Sequence, residues 1–516
     1  MRAGLRIPLA LPNTGAVARA RRRSFVLRSA LFVLLLLFLY LQIHSVFTSI
    51  GGGQSSLSSS ESANETAAAI LAMVPQVLHK YLAVKPKNAT GGQNTTIGRM
   101  TINPQLSMIE RHEAALSEIS KQIRYYNTKQ TVINEEIFGP LQNDSVVIVV
   151  QVHTRITYLR HLIISLAQAQ GISNVLIVFS HDYYDEDIND LVQSVDFCKV
   201  MQIFYPFSIQ THPNVFPGED PKDCPRNLNR EQAILRKCNN ALHPDSYGHY
   251  REAKFCQTKH HWWWKANRVF DQLDVTKYFT GPVVFLEEDH YVAPDFLHVL
   301  GLMQESVKTH CSKCSILSLG TYLKTYNYYG NSKQKNTKHT FEKGSSKSKS
   351  NDRSLSPTWS FQILPTLYTS TQKAEITPWI SSKHNMGMVF NRTIWEGIRM
   401  CSPHFCTYDD YNWDWSLQHV SHVCLRNKLH AIVLRGPRVF HIGECGVHHK
   451  KKNCESAAMI SKVQQVLKTS EKYLFPSKLS LVMASPLKKQ KLRKGNGGWG
   501  DTRDHALCYN MTLRLR

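Results

Sequence analysis

The sequence predicts an α/β fold built on a mostly parallel sheet with helices on both faces. Two observations carry this. Short, continuous apolar runs recur, VVIVVQV (146–152), VLIVF (175–179), residues 200–204 and PVVFL (282–286), and uninterrupted runs mark strands buried on both faces. Helical patterns separate them, and alternation of buried strands with helices yields a parallel sheet covered on both sides. In such sheets ligands sit at the carboxyl ends of the strands. The segment that follows the fourth strand is therefore the first place to look for chemistry.

The chain has 516 residues, 42% hydrophobic and 20% charged, a balance that supports a globular body rather than a disordered one. Its net charge is +23. Seven arginines fall within the first 28 residues without an acidic neighbour, and more positive charge lies at 488–494. With so much of the excess in tails and loops, a nucleic-acid partner is not expected. Residues 1–28 read as a cytosolic tail. Residues 29–47 (SALFVLLLLFLYLQIHSVF) are 19 positions without a charge, about 28 Å as a helix and close to a hydrocarbon thickness. A cleaved signal peptide is the alternative. The long apolar core and the absence of a clear cleavage site favour a signal anchor, and the preceding arginines keep the tail cytosolic. Six Asn-x-Ser/Thr sequons, at Asn64, Asn88, Asn94, Asn143, Asn391 and Asn510, and 12 cysteines all beyond residue 190 agree with a body in an oxidising lumen.

Residues 48–104, rich in Ser, Gly, Thr and Asn, read as a luminal stem, and 105–516 as the main luminal body. A helical pattern runs through 106–123. Helices are expected at 158–169 and 188–195, and a long one over 247–273. A basic, low-complexity insertion is expected at about 331–373.

The fourth strand runs into Glu287, Glu288, Asp289 and His290. Adjacent carboxylates repel one another and suit a divalent metal that bridges to phosphate oxygens; capping of the next helix is the structural alternative. Tyr408-Asp-Asp-Tyr-Asn-Trp-Asp-Trp415 interleaves carboxylates with aromatic faces, which is what a sugar pocket needs, although the same residues would serve as a capped aromatic core segment. His441 ends an apolar stretch, a position where a structural role is a readier explanation than a ligand. QTKHHWWWK (257–265) joins three tryptophans to basic and imidazole groups that suit a nucleotide. No HExxH, Walker A, GxSxG or GxGxxG signature stands in a convincing context, against zinc-protease, P-loop, serine-hydrolase and dinucleotide readings. Cys311-x-x-Cys314 is more consistent with a local disulfide than with a zinc ribbon.

With these motifs in view, the chain resembles the N-acetylglucosaminyltransferase II family. The resemblance runs from about residue 123 to 503 and rests on VVQVHTR (149–155), VLIVFSHD (175–182), FYPFSIQ (204–210), SYGHYREAKFCQTKHHWWWK (246–265), FLEEDHY (285–291), LSLGTY (317–322), HNMG (384–387), FCTYDDYNWDW (405–415) and NGGWGD (496–501). It implies a GT-A type nucleotide-sugar transferase fold and inverting transfer of GlcNAc from UDP-GlcNAc. The implied acceptor is the 2-hydroxyl of the α1,6-arm mannose of an N-glycan already bearing GlcNAc on its α1,3 arm. Carried over by position, Gln151, Val152, His153, Thr154, Arg155, Asp182, Gln257, Thr258, Lys259, His260 and His261 hold the donor. Asp289 and His441 ligate Mn²⁺, and Asp414 is the catalytic base. Glu287, Asn385, Tyr411 and Trp413 are candidates for acceptor contact. The resemblance also implies disulfides Cys224–Cys238, Cys311–Cys314, Cys401–Cys424, Cys406–Cys508 and Cys445–Cys454, with Cys198 and Cys256 left over, and a type II protein of the Golgi membrane. The chain departs from the family at Thr154-Arg155-Ile156, where the family has Asn-Arg-Pro. It departs again near Tyr326, where the family has an arginine and Lys324 is the nearest basic residue here.

Two other classes remain open on sequence alone: a catalytically silent luminal sugar-binding protein on the same fold, and a polyanion-binding protein that uses the basic loops. Asp289, His441 and Asp414 occurring together favour the enzyme. Whether copies of the chain form a homo-oligomer is left open.

Overall fold

Alternation along the first strand sets the layers. Ile148, Val150 and Val152 enter one apolar cluster while Val147 and Val149 enter another, and all five are fully buried. This strand is sandwiched, as its unbroken apolar run requires. Each such side chain contributes roughly 1.5–3 kcal/mol by burial. The computed structural model describes residues 68, 70–83, 108–321, 367–369, 371–443, 456–484 and 494–513. The proposed anchor at 29–47 lies outside them; no helix among the described residues is long and apolar enough to cross a membrane.

The strands are β1 (Val146–Val152), β2 (Val175–His181), β3 (Lys199–Phe204), β4 (Val283–Glu287), β5 (His290–Val292), β6 (Cys314–Ser318), β7 (Gln372–Pro378), β8 (Met388–Phe390), β9 (His430–Leu434), β10 (Val439–His441) and β11 (Leu479–Met483). The helices are α1 (Met108–Lys129), α2 (Glu135–Phe138), α3 (Ile156–Ala167), α4 (Glu186–Gln193), α5 (Arg230–Arg236), α6 (Ala253–Asn267), α7 (Phe296–His310), α8 (Arg392–Met400), α9 (Ser402–Thr407), α10 (Trp413–Val423), α11 (Ser456–Thr469) and α12 (Thr502–Leu513). Nine strands form one sheet in the order β11-β7-β9-β6-β8-β4-β1-β2-β3. The β4-β1-β2-β3 half is wholly parallel. In the other half β8 runs antiparallel between β4 and β6, and β7 runs antiparallel to β9. The sheet is mixed and mostly parallel.

One cluster holds α3, α4 and α7 against the sheet, and the other holds α6 with α9, α10 and α12. The three tryptophans of α6 belong to this second core. Trp262 stacks on Trp413 (4.5 Å between centroids, 3° between planes) and Trp263 stacks on Phe405 (4.2 Å, 19°). The nucleotide-facing role read into them gives way to a packing role. The helix expected over 247–273 is shorter: α6 starts at Ala253 and closes in a π turn at Arg268–Gln272.

Residues 70–83, expected in the stem, pack against the domain. Ile70, Val74 and Tyr81 are buried. The Tyr81 hydroxyl donates to Asp196 Oδ1 at 2.6 Å, and Arg160 of α3 donates to the carbonyls of Tyr81 and Ala83. The fold therefore includes this strap. At the other end of the expected insertion, Gln372 and Lys373 already belong to β7. Cys224–Cys238, Cys311–Cys314, Cys401–Cys424 and Cys406–Cys508 are disulfides, as expected. Cys445–Cys454 and Tyr326 lie outside the described residues. Cys198 and Cys256 are buried thiols.

Candidate active site

The carboxyl ends of β1, β2 and β4 assemble the first part of the site. Gln151 of β1 lies in register with Ser180 of β2 and Glu287 of β4. Just beyond β2, Asp182 receives His153 Nδ1 on Oδ1 at 2.6 Å and Gln257 Nε2 on Oδ2 at 3.1 Å. His261 Nδ1 stands 3.5 Å from Oδ2, and its Nε2 lies 2.8 Å from Ser180 Oγ. Burial pushes the Asp182 carboxyl up, but the hydrogen bonds from His153 and His261 outweigh it and hold it well below the usual carboxylate range.

The run 257–261 divides by helical period. Gln257 and His261, four residues apart on α6, face Asp182. Lys259 and His260 turn to the opposite side. Lys259 Nζ donates to the carbonyls of Tyr408 and Asp410 and lies over the Trp499 ring at 4.0 Å, while His260 Nε2 meets Asp504 at 2.9 Å. Thr258 is half-buried between the two faces. Val152 is fully buried in the sheet core, and Thr154 is exposed beside His153. Continuing the Gln257–His261 face by one more turn reaches Lys265, whose Nζ donates to Gln151 Oε1 at 2.6 Å. Sequence reasoning gave Lys265 no role of its own, although the spacing of four was legible.

The acidic triplet divides as well. Glu288 accepts from the His153 backbone N–H and from Arg155 Nε, both at 2.6 Å, and so braces the loop after β1. Arg155 Nη1 also reaches Asp289 Oδ2 at 2.7 Å. The antiparallel ribbon of β5 and β10 pairs His441 with His290, which brings His441 Nε2 to 3.1 Å from Asp289 Oδ2. Gly443 permits this approach, because a Cβ there would stand 2.2 Å from Asp289 Oδ2. Burial raises the Asp289 carboxyl, yet the charge and hydrogen bond of His441, with Arg155, outweigh it and hold it far below its ordinary value. His441 is shifted the other way: burial lowers it, but Asp289 and Glu287 prevail and raise it. Glu287 is raised by burial and by the charge of Asp289.

This cluster fits a divalent cation. Asp289 Oδ1 is buried without a hydrogen-bond partner, an arrangement that an ion or ordered water normally completes. Glu287, Asp289 and His290 each bring one candidate ligand atom to within 4.8 Å of the others. The ring of His290 is turned unfavourably, however. Its Nδ1 accepts the Glu287 N–H at 3.1 Å, so its buried Nε2 carries the proton and offers a donor instead of a lone pair. His441 is the better nitrogen ligand.

The second part of the site centres on Asp414, in the first turn of α10. Its Oδ2 accepts from Ser381 Oγ (2.8 Å), the Ser382 backbone N–H (3.0 Å) and Asn385 Nδ2 (3.2 Å). Ser382 adopts a left-handed backbone (φ 60°) to deliver that N–H. All three donors are neutral, and burial raises the Asp414 carboxyl above its ordinary value against the bond from Ser381. The other two aspartates of the segment have both oxygens engaged. Asp410 accepts from the backbone and side-chain nitrogens of both Asn412 and Asn496, two on each oxygen. Asp409 accepts from Ser246 and from the Trp499 N–H. These bonds dock the NGGWGD loop onto the segment. Asn385 keeps a buried, unpartnered Oδ1 beside Asp414. Trp413 is committed to stacking on Trp262, and the Tyr411 ring lies 5.0 Å from Phe255. Sequence reasoning missed Ser381 and Ser382; no motif marks them, and only the fold brings their loop to α10.

A profile of the family "N-acetylglucosaminyltransferase II (MGAT2)" matches residues 120–351 and 354–508. The alpha-1,6-mannosyl-glycoprotein 2-beta-N-acetylglucosaminyltransferase of Homo sapiens is 42% identical over 388 residues, covering 74% of this chain and 76% of that one. Its Rattus norvegicus counterpart is 42% identical over 382 residues (74% and 77%), and the Arabidopsis thaliana protein of the same name is 30% identical over 392 (74% and 78%). With a profile match over most of its length and relatives at this identity, the chain belongs to the N-acetylglucosaminyltransferase II family.

Proposed function

We propose that this protein is an inverting β-1,2-N-acetylglucosaminyltransferase that moves GlcNAc from UDP-GlcNAc to the 2-hydroxyl of the α1,6-arm mannose of an N-glycan already carrying GlcNAc on its α1,3 arm. The observation that carries the mechanism is the contrast within 408–415. Asp410 is saturated with four hydrogen bonds and Asp409 has both oxygens engaged, whereas Asp414 has one oxygen held by neutral donors and a carboxyl shifted up by burial. A base needs an available lone pair and a raised affinity for protons. In the reaction Asp414 accepts the proton of the acceptor 2-hydroxyl. The hydroxyl oxygen forms the new bond to C1 of GlcNAc, the bond from C1 to the diphosphate breaks on the opposite face, and UDP departs with the electron pair.

Gln151, His153, Arg155, Asp182, Gln257 and His261 line the strand ends and are read as the donor side. Asp289 and His441 would hold Mn²⁺, an oxygen and a nitrogen ligand that suit it. The bound cation supplies Lewis-acid stabilisation of the charge on departing UDP. Arg155, already on Asp289 and Glu288, orients those carboxylates. The mostly parallel sheet with its site at the strand ends is read as GT-A type. The body is placed in the Golgi lumen, anchored by residues 29–47 as a type II protein; the four disulfides support an oxidising compartment.

The test is transfer from UDP-GlcNAc with Mn²⁺ onto a defined panel of mannose-terminated N-glycans. Product is expected only on the α1,6 arm of glycans that carry GlcNAc on the α1,3 arm. UDP release with none of them would favour the silent sugar-binding reading, and product on another arm would overturn the acceptor assignment.

A further inference from the structure

Lys265 is a lysine with 1% of its surface exposed, set beneath the strand ends of the donor site. Its Nζ donates to Gln151 Oε1 at 2.6 Å, and Gln151 lies in register between Ser180 of β2 and Glu287 of β4. Burial pulls Lys265 down toward neutrality, and the charges of Glu287 and Asp182 act against it to favour the ammonium; in that form it has donors and no acceptor, so only the oxygen of the Gln151 carboxamide can face it. The amide would otherwise be free to flip, and this contact fixes its polarity. The NH₂ group of Gln151 is then turned away from Lys265. Gln151 is half-buried, and its Nε2 makes no hydrogen bond with the described residues.

We infer that Lys265 is a positioning residue for the donor nucleotide: it locks the Gln151 carboxamide so that the amide nitrogen, a donor, is presented to an oxygen acceptor of UDP-GlcNAc. The inference rests on the donor-site reading above and adds to it a residue that does not itself touch the nucleotide. A flipped amide would present its oxygen to a carbonyl or phosphate oxygen and repel it. Lys265 thus turns one buried charge into a preference for one ligand polarity, at the point where the clusters of Asp182 and Asp289 meet. It also lies on the same α6 face as Gln257 and His261, so one helix turns three polar side chains to the site.

The experiment is calorimetric binding of UDP and of uridine to the full-length protein, with steady-state transfer alongside. Lys265→Met keeps the length of the side chain and removes the donor. It is expected to weaken UDP binding about 10-fold and raise KM for UDP-GlcNAc by the same factor, with kcat at saturating donor changed less than about 3-fold. Gln151→Glu provides the control for folding, since a carboxylate pairs with the Lys265 ammonium but presents no N–H. It should fold with wild-type thermal stability and show the same loss of UDP affinity. The double variant Lys265→Met/Gln151→Ala should bind no worse than Gln151→Ala alone, because the lysine acts only through the glutamine. A loss shared by uridine places the contacted oxygen on the nucleoside, and a loss confined to UDP places it on the diphosphate; either supports the inference. Unchanged UDP affinity in Gln151→Glu, or additive losses in the double variant, would overturn it while leaving the donor reading intact. Failure of the wild type to bind UDP would overturn that reading and this inference together.

Discussion

Asp289 and Asp414 are both buried aspartates, and their surroundings push them in opposite directions. Asp289 has cationic neighbours, Arg155 at 2.7 Å and His441 at 3.1 Å, and is held ionised. Asp414 has only hydroxyl, amide and backbone donors, and burial raises its proton affinity. Side-chain chemistry is identical in the two, so the difference lies in the charge of what each touches. One is a fixed anion suited to anchoring a cation, and the other is suited to taking up and releasing a proton. Separation of this kind is how one site runs charge stabilisation and base catalysis together.

The strongest way to break the comparison is at the anion. Removing divalent metal with excess chelator should abolish transfer, and Mn²⁺ should restore it. His441→Ala should raise the Mn²⁺ concentration giving half-maximal activity by at least about 10-fold, with the fold intact. Full activity in chelator would leave Asp289 as a purely structural partner of Arg155. Next in size is the proposed base. Asp414→Asn preserves shape and removes the proton acceptor, so turnover should fall at least about 10²-fold. UDP binding measured by calorimetry should stay near wild type, since no donor-side residue touches Asp414.

Asp410 sharpens the comparison, because it too is buried but has no unfilled acceptor position. In Asp410→Asn an NH₂ group would confront the nitrogens of Asn412 or Asn496. The expected effect is on folding: a loss of about 1–3 kcal/mol in chemical denaturation, with turnover of the folded fraction within a few-fold of wild type. If Asp410→Asn is folded and inactive while Asp414→Asn retains turnover, the two roles are exchanged.

The sequence makes the parallel half of the sheet legible, since strands buried on both faces are unbroken apolar runs and β1, β2, β3 and β4 each present one. It also marks the acidic strand end and Asp414. Three things required the fold. The pairing of His441 with His290 is set by a short ribbon whose partners lie 151 positions apart in the chain. The division of 257–261 into two faces is visible in helical spacing, but which face meets the site depends on where the C-terminal Asp504 docks. The three tryptophans looked like ligand surface because they are consecutive. They are buried together because α6 is covered by the sheet on one side and by α9, α10 and α12 on the other. Residues 70–83 read as stem by their polar surroundings, while the buried Tyr81 finds its partner, Asp196, only in the tertiary structure.

The smallest expected effect concerns the hydrogen bond that tempers Asp414. Ser381 Oγ donates to Asp414 Oδ2 at 2.8 Å and favours the ionised carboxylate, opposing the burial that raises it. As the proposed base, Asp414 works only when deprotonated, so kcat should fall on the acid side as pH drops through its titration. Ser381→Ala removes a donor to the charged form and shifts that titration further upward. The acid limb of kcat should therefore move to higher pH than in the wild type. Below the limb the variant should be slower by roughly 10-fold, the scale of one hydrogen bond to a charged group. Well above it the two proteins should be nearly equal, because both carboxylates are then ionised. Only the limb should respond, with the metal requirement unchanged, since Ser381 has no contact with Asp289 or His441. A limb that stays in place, or moves to lower pH, would show that a group other than Asp414 sets it. The contrast between the two aspartates would then describe their environments without describing the reaction.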